Sequence, residues 1–140
     1  MLTNVKEIAL DQLKNEVWAM RRDGYRLVTV TCTDLGEAHD LIYHFDKQYE
    51  LRHLRLSLPK GQSLPSITSV FFCAVLAENE IKDFFGLEVT DLPIDYQGRF
   101  LLSDGAPKAP MSKVGGIPLD VRMKAPAAAA GAEGGAARGA

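Results

Sequence analysis

The sequence predicts an α+β fold. An N-terminal helix and a long central helix pack on a small, mainly antiparallel sheet, followed by an extended C-terminal arm and a disordered tail. Apolar residues at helical spacing near 4–22 and 66–85 predict the two helices. Between them, three β-branched or alternating runs separated by short turn sequences predict the sheet. A length of 140 residues is that of one ordinary domain.

Asn4 and Glu7 have the spacing of a capping box, which starts the first helix at residue 4. Val5, Ala9, Leu10, Leu13, Val17 and Met20 form its core stripe, and Gly24 stops it. Ile8 and Trp18 fall off the stripe, and a Trp there points to a partner surface. The runs Tyr25–Cys32, His39–Phe45 and Leu51–Leu58 read as strands, and the short 46–50 connection suits an antiparallel hairpin. In the third run Leu54, Leu56 and Leu58 alternate with Arg55 and Ser57, one face in a core and one in water.

After the loop 59–65, Ser66 is the expected cap of a helix that runs to Phe85 and ends at Gly86. Val70, Ala74, Ala77, Ile81, Phe84 and Phe85 make its core stripe. Its other side carries Phe72, Val75 and Leu76, then Asn79, Glu80 and Asp83. Either the chain folds back over that side or it is covered by another protein of an assembly. A short strand is expected at Arg99–Leu102. Residues 103–124, with Pro107, Pro110 and Pro118, read as an arm that is a surface loop or orders on a partner. Residues 125–140 hold nine Ala and four Gly and no bulky apolar residue, the composition of a disordered tail.

The net charge of −2 argues against a dedicated nucleic-acid binder, which needs a basic stripe. No run of 18 apolar residues occurs, and no basic leader opens the chain, so neither a membrane span nor a secretory signal is expected. That points to a soluble, intracellular chain. Cys32 and Cys73 are read as small apolar fillers in a reduced compartment. Two cysteines and three histidines (His39, His44, His53) without ligand spacing do not make an iron–sulfur or zinc site. His44 is expected to bond a neighbour within the sheet.

No Gly-x-Ser-x-Gly elbow, dinucleotide fingerprint or phosphate loop is present. Glu78 and Glu80 lie about 200° apart on a helix and cannot form a dyad. Glu78 and Lys82 are spaced as a helix-surface ion pair, whereas Glu80 and Asp83 share a face as two like charges. Two roles fit Glu80 and Asp83: a contact with a neighbouring protein, or the acid/base pair of a small stand-alone enzyme.

Tyr43-His44-Phe45, Leu54-Arg-Leu-Ser-Leu58, Pro65-Ser66-Ile67-Thr68 and Glu78-Asn-Glu-Ile-Lys-Asp83-Phe-Phe-Gly86-Leu87 together resemble the 30-kilodalton subunit family of respiratory complex I (NADH dehydrogenase) and its relatives in membrane-bound hydrogenases. The resemblance covers about residues 25–102 and suggests a domain at 1–102, an arm at 103–124 and a tail at 125–140. The chain departs from the pattern at Asn79, where the family has arginine. It also lacks Gly-His-Pro after the helix and the Pro-Leu-Arg-Lys-Asp-Phe-Pro segment of the quinone-reducing enzymes. Its shortness, with Gly98-Arg-Phe-Leu-Leu102 and Pro107 to Met111, makes it most similar to the small hydrophilic subunit of energy-converting [NiFe] hydrogenases.

That resemblance implies a non-catalytic subunit peripheral to the cytoplasmic side of a membrane, buttressing a large catalytic subunit during electron transfer coupled to ion translocation. It implies no cofactor in this chain. The [NiFe] centre and iron–sulfur clusters belong to the partners, a large catalytic subunit and a small iron–sulfur subunit, through which alone the chain meets the membrane. An NADH:quinone oxidoreductase is the nearest rival. The residues expected at the interface with those partners are Trp18, Phe72, Leu76, Glu78, Glu80, Asp83 and Arg99.

Overall fold

A hairpin forms the centre of the molecule because Gln48 and Tyr49 both take positive φ, which closes a two-residue turn between paired Lys47 and Glu50. In this computed structural model, which describes residues 1–113, the hairpin strands are β3 (Ala38–Lys47) and β4 (Glu50–Pro59). Strand β2 (Arg26–Asp34) adds antiparallel to β3, with a register shift at Val28. Strand β1 (Val5–Ile8) adds parallel to β4, giving the order β1-β4-β3-β2. The fold is α+β, as the sequence predicts. The distal arm, 114–124, and the expected tail, 125–140, lie outside the described residues.

The expected helix at 4–22 is two elements. Asn4 takes a φ of 58° and gives its carbonyl to the His53 N–H at 3.0 Å, which places 5–8 along β4 instead of in a helix. Ile8, off the expected stripe, is buried, whereas Val5 and Ala9 are exposed. The helical segment opens with a 3-10 turn (Leu10–Gln12), where Gln12 Oε1 accepts the Ala9 N–H at 3.1 Å. Helix α1 (Leu13–Arg22) follows, burying Leu13, Val17 and Met20. It ends through Gly24, with the Tyr25 N–H on the Met20 carbonyl.

The central helix, α2 (Ala74–Phe85), starts seven residues later than a cap at Ser66 requires. Ser66 does not cap it. Its hydroxyl turns inward to Glu78 and accepts the Thr68 N–H at 3.1 Å, and residues 67–73 form successive turns. The C-terminus agrees with expectation: Gly86 takes φ 66° and its N–H bonds the Lys82 carbonyl. A second small sheet pairs β5 (Leu64–Pro65) with β6 (Val89–Thr90) in parallel. The strand expected at Arg99–Leu102 does not form, because the Leu101 and Leu102 N–H groups bond a side chain of α2.

One face of the four-stranded sheet carries Leu27, Val30, Leu41, Tyr43, Phe45, Leu54, Leu56 and Leu58 into a core shared with Leu13, Val17, Val70, Ala74 and Ile81. Residues 103–113 return to the domain. The Met111 N–H bonds the Phe84 carbonyl, and Asp34 at the end of β2 receives the Lys113 N–H at 2.7 Å and the Ser112 hydroxyl at 3.2 Å. Asp34 also accepts the Gly36 N–H at 2.8 Å and Lys60 Nζ at 2.5 Å. Burial opposes its charge, but these donors, led by Lys60, hold the Asp34 carboxyl well below the usual carboxylate range.

Candidate interaction site

Helix α2 carries most of the residues singled out in the sequence, some of them buried and some exposed. Glu78 is fully buried. Its carboxylate accepts the Ser66 hydroxyl at 2.6 Å and the Ile67 N–H at 2.8 Å, tying α2 to the loop before it. Burial raises the Glu78 pKa, and the two hydrogen bonds counter that rise. The expected Glu78–Lys82 pair is not formed. Lys82 bonds Asp95 at 2.8 Å instead, and that pairing, with the Gln97 N–H, lowers the Asp95 pKa.

Asn79 and Asp83 are buried too. Asn79 donates to the Val75 and Ile94 carbonyls and accepts the Tyr96 N–H at 3.0 Å. Asp83 Oδ2 accepts the Leu101 N–H at 2.6 Å and the Leu102 N–H at 3.3 Å. So the chain itself, through residues 94–102, covers this side of α2, and Val75 is buried with it. Of the two alternatives for that face, folding back holds for Val75, Asn79 and Asp83. It does not hold for Phe72 and Leu76, which stay 61% and 54% exposed.

Glu80 is exposed and does not join Asp83 in a common site. Asp83 lines a shallow cleft of about 290 Å³ with Lys82, Gly86, Arg99, Ser103 and Asp104, and Glu80 is not among its walls. The acid/base pair required for a small enzyme is therefore not assembled. Arg99 is exposed and bonds Asp104 at 2.9 Å. Trp18 is half exposed on α1. Cys73, expected as a filler, is exposed, whereas Cys32 packs against the core, where burial and then the charge of Asp34 push its thiol up to about 12. Sequence reasoning missed the structural part played by Glu78 and Asp83. Their partners are hydroxyl and backbone groups 11 to 19 residues away, which carry no charge pattern to read.

The site is thus an α+β module with an apolar, uncovered flank on its central helix and its buried acids spent on its own backbone. A family model for the 30 kDa subunit of respiratory-chain NADH dehydrogenase matches residues 7–116, and the chain belongs to that family. A NADH-quinone oxidoreductase subunit of Ruegeria pomeroyi is 36% identical over 72 residues, a stretch covering 48% of this chain and 36% of the relative. A chain in the structure of the membrane-bound sulfane sulfur reductase, an archaeal respiratory membrane complex, has the same fold. It matches with a TM-score of 0.65 at 16% identity, over 72% of this chain and 64% of that one. The present chain therefore spans less than two-thirds of either protein. Among the described residues, no helix is long and apolar enough to cross a membrane.

Proposed function

We propose that this chain is a non-catalytic peripheral subunit of a membrane-bound redox complex of the complex I type, most closely that of an energy-converting [NiFe] hydrogenase. In this reading it buttresses the large catalytic subunit on the cytoplasmic side, has the small iron–sulfur subunit as a further partner, and meets the membrane only through those partners. The electron-carrying groups belong to those partners. A chain with two cysteines is poorly supplied with soft ligands of its own.

The observation that carries the proposal is the exposed pair Phe72 and Leu76 beside a helix whose acids are bonded internally. Large apolar side chains left open next to such acids fit an obligate contact between subunits. The hydrogenase assignment within the family rests on the Gly98-Arg-Phe-Leu-Leu102 and Pro107 to Met111 segments. The similarity to a NADH-quinone oxidoreductase subunit favours that complex as the second reading.

Co-expression with the products of neighbouring genes, followed by affinity capture and metal analysis of the whole assembly, tests this. Capture of a nickel-containing large subunit is the expected result. A nickel-free assembly containing nucleotide-binding subunits would select the second reading. A cooperatively folding monomer that binds neither would end both.

A further inference from the structure

On the sheet face opposite the helices, His44 of β3 and His53 of β4 stand directly across from each other. Their Nδ1 atoms are 2.9 Å apart and their rings meet at 76°. His44 Nε2 lies 3.0 Å from Thr31 Oγ1 on β2. One small cluster thus links three strands. His53 is also the first rung of β1: it pairs with Val5, and its N–H bonds the Asn4 carbonyl.

Two ring nitrogens at this distance need one N–H and one bare lone pair between them. The bond forms when both rings are neutral. It also survives one added proton, which can sit on a far Nε2. A second added proton sets N–H against N–H, and the bond is lost.

Among the described residues, the carboxylates near the two rings are each already paired with an arginine. From β2 the neighbours are Thr29 and Thr31, and from β1 they are Val5 and Glu7. Asp46 is held by Arg26 at 2.8 Å, Asp40 by Arg55 at 2.8 Å, and Glu7 lies 3.9 Å from Arg55. These carboxylates are already engaged, and Arg55 adds a further positive charge two residues from His53. Burial, and then the charge of His53, lower the His44 pKa.

We propose that His44 and His53 form a pH-sensitive clasp. At neutral pH it joins β2, β3 and β4, and double protonation in acid opens it and releases the edge strand β1. The folded chain prefers neutral His44. The stability this lends is complete above the ordinary imidazole pKa of about 6.5 and falls as pH drops below it.

Hydrogen exchange on the full chain at about pH 7.5 and about pH 5.5 tests the clasp, with rates corrected for intrinsic chemistry. Wild-type protection of the His53 amide and of β1 is expected to fall about tenfold at the lower pH. His44→Gln keeps a donor and an acceptor but cannot take up a proton, and its protection should fall less than about twofold. Unchanged wild-type protection, or an equal fall in the variant, would overturn the proposal. Should His44→Gln fail to fold, imidazole nitrogen spectra of the wild type decide. Both rings becoming fully protonated together with the loss of β1 protection supports the clasp. Full protonation with β1 still protected refutes it.

Discussion

Burial along α2 inverts the usual rule. The covered residues include Glu78, Asn79 and Asp83, each bonded to hydroxyl or backbone groups. The uncovered ones include Leu76 and Glu80, with Phe72 open just before the helix. Polar residues are among the covered set because they organise loops that have no strand ladder of their own. Glu78 Oε1, Asn79 Oδ1 and Asp83 Oδ2 fix backbone N–H groups that would otherwise be unsatisfied. Apolar residues are among the uncovered set because nothing in the described chain reaches them. Buried polarity here reports internal architecture, and exposed apolarity reports what the fold leaves for another molecule.

If this division is right, damage to the covered polar residues should unfold the domain. Glu78→Ala strands the Ile67 N–H and the Ser66 hydroxyl in a dry site and is expected to cost about 3 kcal/mol in urea unfolding. Asp83→Ala frees only the Leu101 and Leu102 N–H groups, beside a cleft that water can enter. It should cost about 2 kcal/mol, with faster amide exchange confined mainly to 94–102. Glu78→Gln is a finer probe. Burial raises the Glu78 pKa, so its stability contribution is complete below the ordinary carboxylate pKa and is lost as pH rises through the raised value. The stability difference between wild type and Glu78→Gln should therefore shift against the wild type as pH rises above about 4.3. Among the open residues, Phe72→Asp and Leu76→Asp should change stability by less than about 0.5 kcal/mol while abolishing co-purification with the large subunit. Unfolding by either of these, or assembly that survives both, would break the contrast between the two sets.

Much of the sheet was legible because strands announce themselves locally. The alternation of Leu54, Leu56 and Leu58 and the short 46–50 connection needed no distant partner. The helix ends at Gly24 and Gly86 were legible for the same reason, since a left-handed glycine is a local requirement. What failed was set by long-range pairing. Val5–Ile8 became a strand because β4 offered an edge, and Ser66 left the helix start because Glu78 lies 12 residues on. At the candidate site the sequence singled out Phe72, Leu76 and Trp18, and all three side chains are open. It could not separate buried acids from exposed ones, because helical spacing gives a face but not what lies against it.

Asp34 gathers four donors, one from nearby Gly36 and three from distant parts of the chain, and the last of them belongs to Lys113. Lys113 is therefore riveted to the corner between β2 and β3, far along the sequence from the first strand yet adjoining the sheet. A fluorophore or cross-linker attached at Lys113 would report on whatever occupies that corner.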